Sequence, residues 1–239
     1  MDEREVPRER PVDWRRALVV VTGVSALIAA LSYLHVSPIG QRPLTAQLHL
    51  LFDVAKEQSV ATAWSAMLMS VAGVLSAVCG SLAWRRDRTV AISWLVLGTG
   101  FAVLAIDEVA GVHERLPEYV DLTAVESTLG YAWLMLGIPI ALAIVAGVWW
   151  CARRFARTTR RLLLAGILVF FAGAIGVEGL TGYLAANHPD AHNAALPELI
   201  HLEELLELVG IGVVCCAPLG ALAVRARKKH PDELSLALR

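Results

Sequence analysis

Charged side chains are scarce in this chain. Asp, Glu, Lys and Arg make up 18% of 239 residues, against about a quarter in soluble domains. With 56% apolar residues and a mean hydropathy of +0.58, the shortfall excludes an ordinary soluble domain. A net charge of −1 excludes the large single-sign field that draws a protein to nucleic acid. The four cysteines, Cys79, Cys151, Cys215 and Cys216, fall in one half of the apolar segments, so an outward disulfide framework is not expected and small apolar packing is. No internal repeat, low-complexity segment or soluble domain is visible. No nucleophile motif occurs, so covalent catalysis is not argued.

What is present is apolar length. Runs at 17–34, 61–84, 89–106, 129–150, 162–184 and 204–224 each reach the roughly 20 residues that cross a bilayer. Backbone polar groups in hydrocarbon must pair within their own segment, so each run is expected to be an α-helix. The expected fold is an all-α, polytopic six-helix membrane bundle, with residues 1–16 before it and 225–239 after it as cytoplasmic segments. No small-x-small cleavage pattern follows the first run, which reads as a retained helix.

Charge of each sign gathers on its own side. Eighteen of the 21 Lys and Arg fall at the N-terminus, in the loops after spans two and four, and in the tail. Only Arg42, Lys56 and Arg115 lie on the other side, with six of seven histidines and 14 of 22 acids. The positive-inside rule then puts both termini in the cytoplasm of a multipass cell-membrane protein. Trp14, Trp84, Trp149 and Trp150 mark inner boundaries and Trp64, Tyr131 and Trp133 outer ones, with Trp94 interior.

Helical rise converts sequence position to depth. Asp107, Glu178 and Glu207 come to about 27, 24 and 26 Å from the inner ends of spans three, five and six, just inside a hydrocarbon layer about 30 Å thick. Ser65 reaches about 28 Å, and His113 and His201 about 35 Å if their helices continue outward. Carboxylates at that depth repel one another unless protons or a metal ion compensate. Asp107, His113, Glu178, His201 and Glu207 are therefore the candidate ligands of a divalent ion, zinc or iron. Glu204 is the candidate general base and Ser65 a substrate-positioning group.

Other readings stand beside these. Glu204 and Glu207 near a helix N-terminus favour its dipole. Glu108 points away from Asp107 on a regular helix, though Gly111 can open the helix there. His49, Asp53 and Glu57 form an i, i+4, i+8 stripe, read for Asp53 as the wet face of an interfacial helix over 44–56.

Three elements carry a resemblance. Glu57 through Ser65, Asp107-Glu108-x4-His113-Glu114 and Glu203-Glu204-x2-Glu207-x2-Gly210 resemble motifs of a group of bacterial multipass membrane proteins. In those, the first reads Glu-x-Asn-x-Pro-Thr-Trp-x-Ser. Here Ser59 stands for the Asn and Ala61 for the Pro. The resemblance implies the residue choice and no reaction. A fainter similarity to ceramidase-type membrane hydrolases implies zinc, but their C-terminal His-x3-His pair is absent, since Leu and Glu follow His201.

The expected function is a metal-binding membrane protein hydrolysing a lipid or amphiphile at the outer leaflet. An ion- or proton-coupled transporter, or a non-catalytic sensor or assembly partner, is the alternative. Its partners are the bilayer and an amphiphilic substrate, with no nucleic acid.

Overall fold

The computed structural model describes residues 8–36, 51–56, 58–112, 115, 134–188, 196–226 and 234–238. Six helices in it are long and apolar enough to cross a membrane: α1 (Trp14–Val36), α2 (Val60–Ala83), α3 (Arg88–Ala110), α4 (Leu134–Ala152), α5 (Arg157–Asn187) and α6 (Leu196–Ala221). Local chemistry sets their ends. Ser59 caps α2 by accepting from the Thr62 amide at 3.2 Å. Asp87 Oδ1 caps α3, accepting from the Thr89 and Val90 amides at 2.9 and 3.1 Å. Each bond satisfies a first-turn N–H that the helix leaves unpaired. Gly111 closes α3 in the left-handed region at φ 56°, which a residue without Cβ adopts at little cost.

α6 is the hub, packing on α5, α1 and α2, while α2 packs most extensively on α3. Close backbone approach makes the α5–α6 contact possible. A Cβ placed on Gly210 would lie 2.7 Å from Phe170 Cα and 2.8 Å from the Gly166 carbonyl oxygen. Seven residues past Gly166, a Cβ on Gly173 would lie 2.8 Å from the Glu203 carbonyl oxygen and 3.0 Å from Glu207 Cγ. Small residues at helix crossings let backbones meet where lipid offers no hydrophobic drive.

Polar bonds fix α1 and α2 against α6. The Trp64 indole N–H donates to Ser25 Oγ at 3.0 Å, and Ser25 Oγ donates to the Leu208 carbonyl at 3.4 Å. Trp64, expected as an outer-boundary anchor, is thus half-buried between three helices. Trp94 is interior as expected, buried and stacked on Phe155 at 4.1 Å. The four cysteines are buried with free thiols.

The bundle carries one β element that the apolar pattern did not indicate. Strands β1 (Arg8–Pro11), β2 (Leu222–Ala226) and β3 (Leu234–Leu238) form an antiparallel sheet in the order β1-β2-β3. Span six, expected to run to Val224, therefore ends at Ala221, and the tail contains a strand. Leu234-Ser235-Leu236-Ala237-Leu238 alternates with the period of two that a strand requires. Pro11 ends the edge strand, where its missing N–H leaves no ladder bond unmade. The sheet ties the first and last described segments together at one end of the bundle.

That end is also the basic one. Arg15 lies over Trp14, Arg88 over Trp84, and Arg153 and Arg154 over Trp150.

Candidate functional site

The acidic site forms at the opposite end from helices that start earlier, or are less regular, than the sequence suggested. α6 begins at Leu196, eight residues before the expected start at Glu204. Pro197 and Glu198 stand in its first turn, a helix-start pattern masked by the acids that follow. Glu203 and Glu207 thus lie about 10 and 16 Å inside the helix. The expectation that Glu204 and Glu207 sit at a helix N-terminus and serve its dipole is corrected, because that effect fades beyond the first turn. In α5 the helix loosens to π geometry over Ala172–Val177, immediately before Glu178. Such segments recur at functional sites because they re-aim the side chains that follow.

Two clefts meet here. One, of about 130 Å³, opens between α3, α4 and α5; Leu104, Ile140, Ile144, Phe170 and Phe171 give it apolar walls, and Asp107, Glu108, Glu178 and Glu207 also line it. The other, of about 100 Å³, is bounded by Lys56, Thr62, Glu108, Gly111, Glu178, Glu203, Glu204 and Glu207. Glu108, Glu178 and Glu207 line both, so the carboxylates form the partition between an apolar cleft and a polar one. Glu204 lies within electrostatic reach of Glu108, Glu203, Glu178 and Asp53, and Glu207 of Glu204, Glu108, Glu203 and Glu178. So many half-buried carboxylates gathered around two clefts make a strongly acidic site suited to a cation.

The structure thus brings Asp107, Glu178 and Glu207 to one cleft, as their common depth indicated, and Glu204 to the adjoining one. Glu108 and Glu203 join them, although helical periodicity had turned Glu108 away from Asp107. Both residues lie in the regular part of α3, about 100° apart, and the cleft wall is broad enough to take both side chains. Asp53 is corrected as well. It is buried, its Oδ1 accepts from the Ala55 amide at 3.1 Å, and the chain turns there, after Phe52. It does not lie on the wet face of a continuing helix.

His201 occupies different surroundings. Its Nδ1 lies 2.7 Å from the Pro197 carbonyl oxygen, which only accepts, so Nδ1 carries the proton. Nε2 is hydrogen-bonded with Ser32 Oγ at 3.3 Å, and Ser32 Oγ accepts from the Val54 amide at 3.2 Å. Tyr33 packs edge-on against the ring at 5.4 Å and donates to Glu198 Oε1 at 3.1 Å. Both ring nitrogens are engaged in a clasp joining α1, α6 and the segment before α2. His113, Glu57 and Glu114 lie outside the described residues.

Ser65 is 2% exposed, and its hydroxyl has no hydrogen-bond partner among the described residues. It shares an α2 face with Thr62, which lines the polar cleft, and Met69, which lines the apolar one. Among the described residues no group of three or more His, Cys, Asp or Glu stands ready to hold a metal ion.

A family model described as a domain of unknown function, DUF8692, matches residues 17–220, and the chain belongs to that family. The match runs from α1 almost to the end of α6 and leaves all three strands outside it. No curated protein and no solved structure matches the chain.

Proposed function

We propose that this member of the family is a multipass membrane protein whose carboxylate cleft binds a cation beside an amphiphile entering from the bilayer. One observation carries the reading: Glu108, Glu178 and Glu207 line an apolar cleft on one side and a polar cleft on the other. An amphiphile presents the matching pair of surfaces, a chain for the walls of Ile140, Ile144, Phe170 and Phe171 and a polar head for the carboxylates. The cation is a divalent metal ion, zinc or iron, for which Asp107, Glu178 and Glu207 are the donors. Because no three donors stand at ligand distance in the described structure, capture of the ion draws the carboxylates together. A metal there would supply Lewis acidity for hydrolysis of an ester or amide head, with Glu204 as the proton acceptor. The basic, strand-bearing end faces the cytoplasm and the carboxylate end the opposite side.

Elemental analysis of the full chain, purified in neutral detergent and exposed to zinc or ferrous ion, tests this reading. We expect about one ion retained per chain, falling at least tenfold in Glu178→Gln and Glu207→Gln. No retained ion in the wild type, or retention unchanged in both variants, overturns it.

A further inference from the structure

At the basic end, two short turns meet over a cavity of about 270 Å³ lined by Arg86, Asp87, Trp94, Arg154, Phe155 and Ala156 among others. That is far above the roughly 15 Å³ needed to admit one water. We propose that this cavity is a binding site for a phosphate group.

The two cations arrive on separate turns. The turn after α2 places Arg86, its amide bonded to the Ala83 carbonyl at 2.8 Å, and the turn after α4 places Arg154, bonded to the Cys151 carbonyl at 3.2 Å. Among the described residues neither guanidinium has a carboxylate partner; the ion pair there is Arg16 with Asp13. Asp87 also lines the cavity, its Oδ1 capping α3; two guanidiniums against one carboxylate leave the lining with a net positive charge. Arg154 is held in place, its guanidinium 3.9 Å over the Trp150 ring and its Nη1 donating to the Trp150 carbonyl at 2.6 Å. A guanidinium has five N–H donors, so others remain for a ligand.

The helix facing this pair is also short of acceptors. α5 starts at the cavity wall, where its N-cap residue Ala156 provides no side-chain cap, leaving first-turn N–H groups and the positive end of the helix dipole for an anion. In that same first turn Thr159 is fully buried, and its hydroxyl has no partner among the described residues. It lies behind the cavity lining, against the end of α6: a Cβ on Gly220 would lie 3.6 Å from Thr159 Oγ1, and the next residue, Ala221, lines the cavity. The stacked pair of Trp94 and Phe155 gives an apolar wall beside these donors.

A phosphate group is the anion that fits two guanidinium forks and a helix N-terminus. It comes either from the headgroup of an anionic lipid or from a soluble phosphate, and the experiment separates the two. The full chain in dodecyl maltoside is offered dioleoyl phosphatidylglycerol or dioleoyl phosphatidylcholine, and bound lipid is counted by native mass spectrometry. A parallel sample receives inorganic phosphate, read as a shift in unfolding temperature. The variants are Arg86→Gln, Arg154→Gln and, as control, Arg85→Gln, whose residue does not line the cavity. The Arg86 side chain makes no polar contact among the described residues, so Arg86→Gln leaves folding intact.

One phosphatidylglycerol retained per chain, weakened at least tenfold in Arg86→Gln and Arg154→Gln but not in Arg85→Gln, supports the site with a lipid source. A phosphate-induced shift with the same variant pattern, without lipid retention, supports it with a soluble source. Equal weakening in all three variants reduces the effect to the general attraction of a basic belt and overturns the proposal. Binding of neither probe, or binding indifferent to Arg86 and Arg154, overturns it too.

Discussion

Adding one methyl group to Gly210 tests the contact on which the acidic site depends. Ordinary contact begins near 3.4 Å, and the new Cβ would stand 2.7 Å from Phe170 Cα and 2.8 Å from the Gly166 oxygen. The shortfalls are therefore about 0.7 and 0.6 Å, both against backbone, and no side-chain rotation relieves them. α5 and α6 must separate, and overpacking of this kind costs about 1–3 kcal/mol. Better helix propensity returns up to about 1 kcal/mol, so the net loss for Gly210→Ala spans about 0–3 kcal/mol and centres near about 1.5 kcal/mol. Gly147→Ala is the matched control, because a Cβ there meets nothing within 4 Å; it is expected to be neutral or to gain up to about 1 kcal/mol. At about 2–4 °C per kcal/mol for a chain of this size, Gly210→Ala unfolds roughly 5 °C below wild type. Tryptophan fluorescence of the full chain in detergent during heating measures both. If Gly210→Ala proves as stable as Gly147→Ala, the helices do not cross at Gly166 and Gly210, and the placement of Glu207 beside Glu178 loses its support.

The clasp and the segregation of charge can each be checked as well. His201→Ala removes the bonds to Ser32 and the Pro197 carbonyl and lowers stability by about 1–3 kcal/mol, while metal retention stays at the wild-type level; retention falling as in Glu178→Gln would make His201 a ligand. Membrane-impermeant maleimide added to intact cells should label Gln58→Cys and spare Arg157→Cys, both at exposed positions, since the native cysteines are buried; labelling of Arg157→Cys alone reverses the orientation.

Much of the bundle was legible in the sequence because a bilayer imposes a one-dimensional rule. An apolar run of sufficient length must be helical, whatever its neighbours are, and all six runs appear as helices. Their order, and the gathering of acids at one end, follow from the alternation of loops. Depth is also a one-dimensional quantity, which is why Asp107, Glu178 and Glu207 could be assigned to one level before any contact was known. Trp94 was readable as interior for the same reason.

Azimuth and helix ends were not legible in that way. Whether Glu108 faces the acidic clefts depends on how α3 sits against its neighbours, and where Glu178 points depends on six residues of π geometry before it. The bonds of His201 need Ser32, which is 169 residues away in sequence, and no local spacing reports that. The strands pair residues 8–11 with 223–226, a match too distant and too short to leave a periodic trace. What must cross the membrane, and which end of each helix holds the carboxylates, could be read along the chain because solvation acts on each segment independently. Which carboxylates share a cleft, and which histidine stands apart from it, emerged with the packing, because those depend on how closely Gly166, Gly173 and Gly210 let two backbones approach.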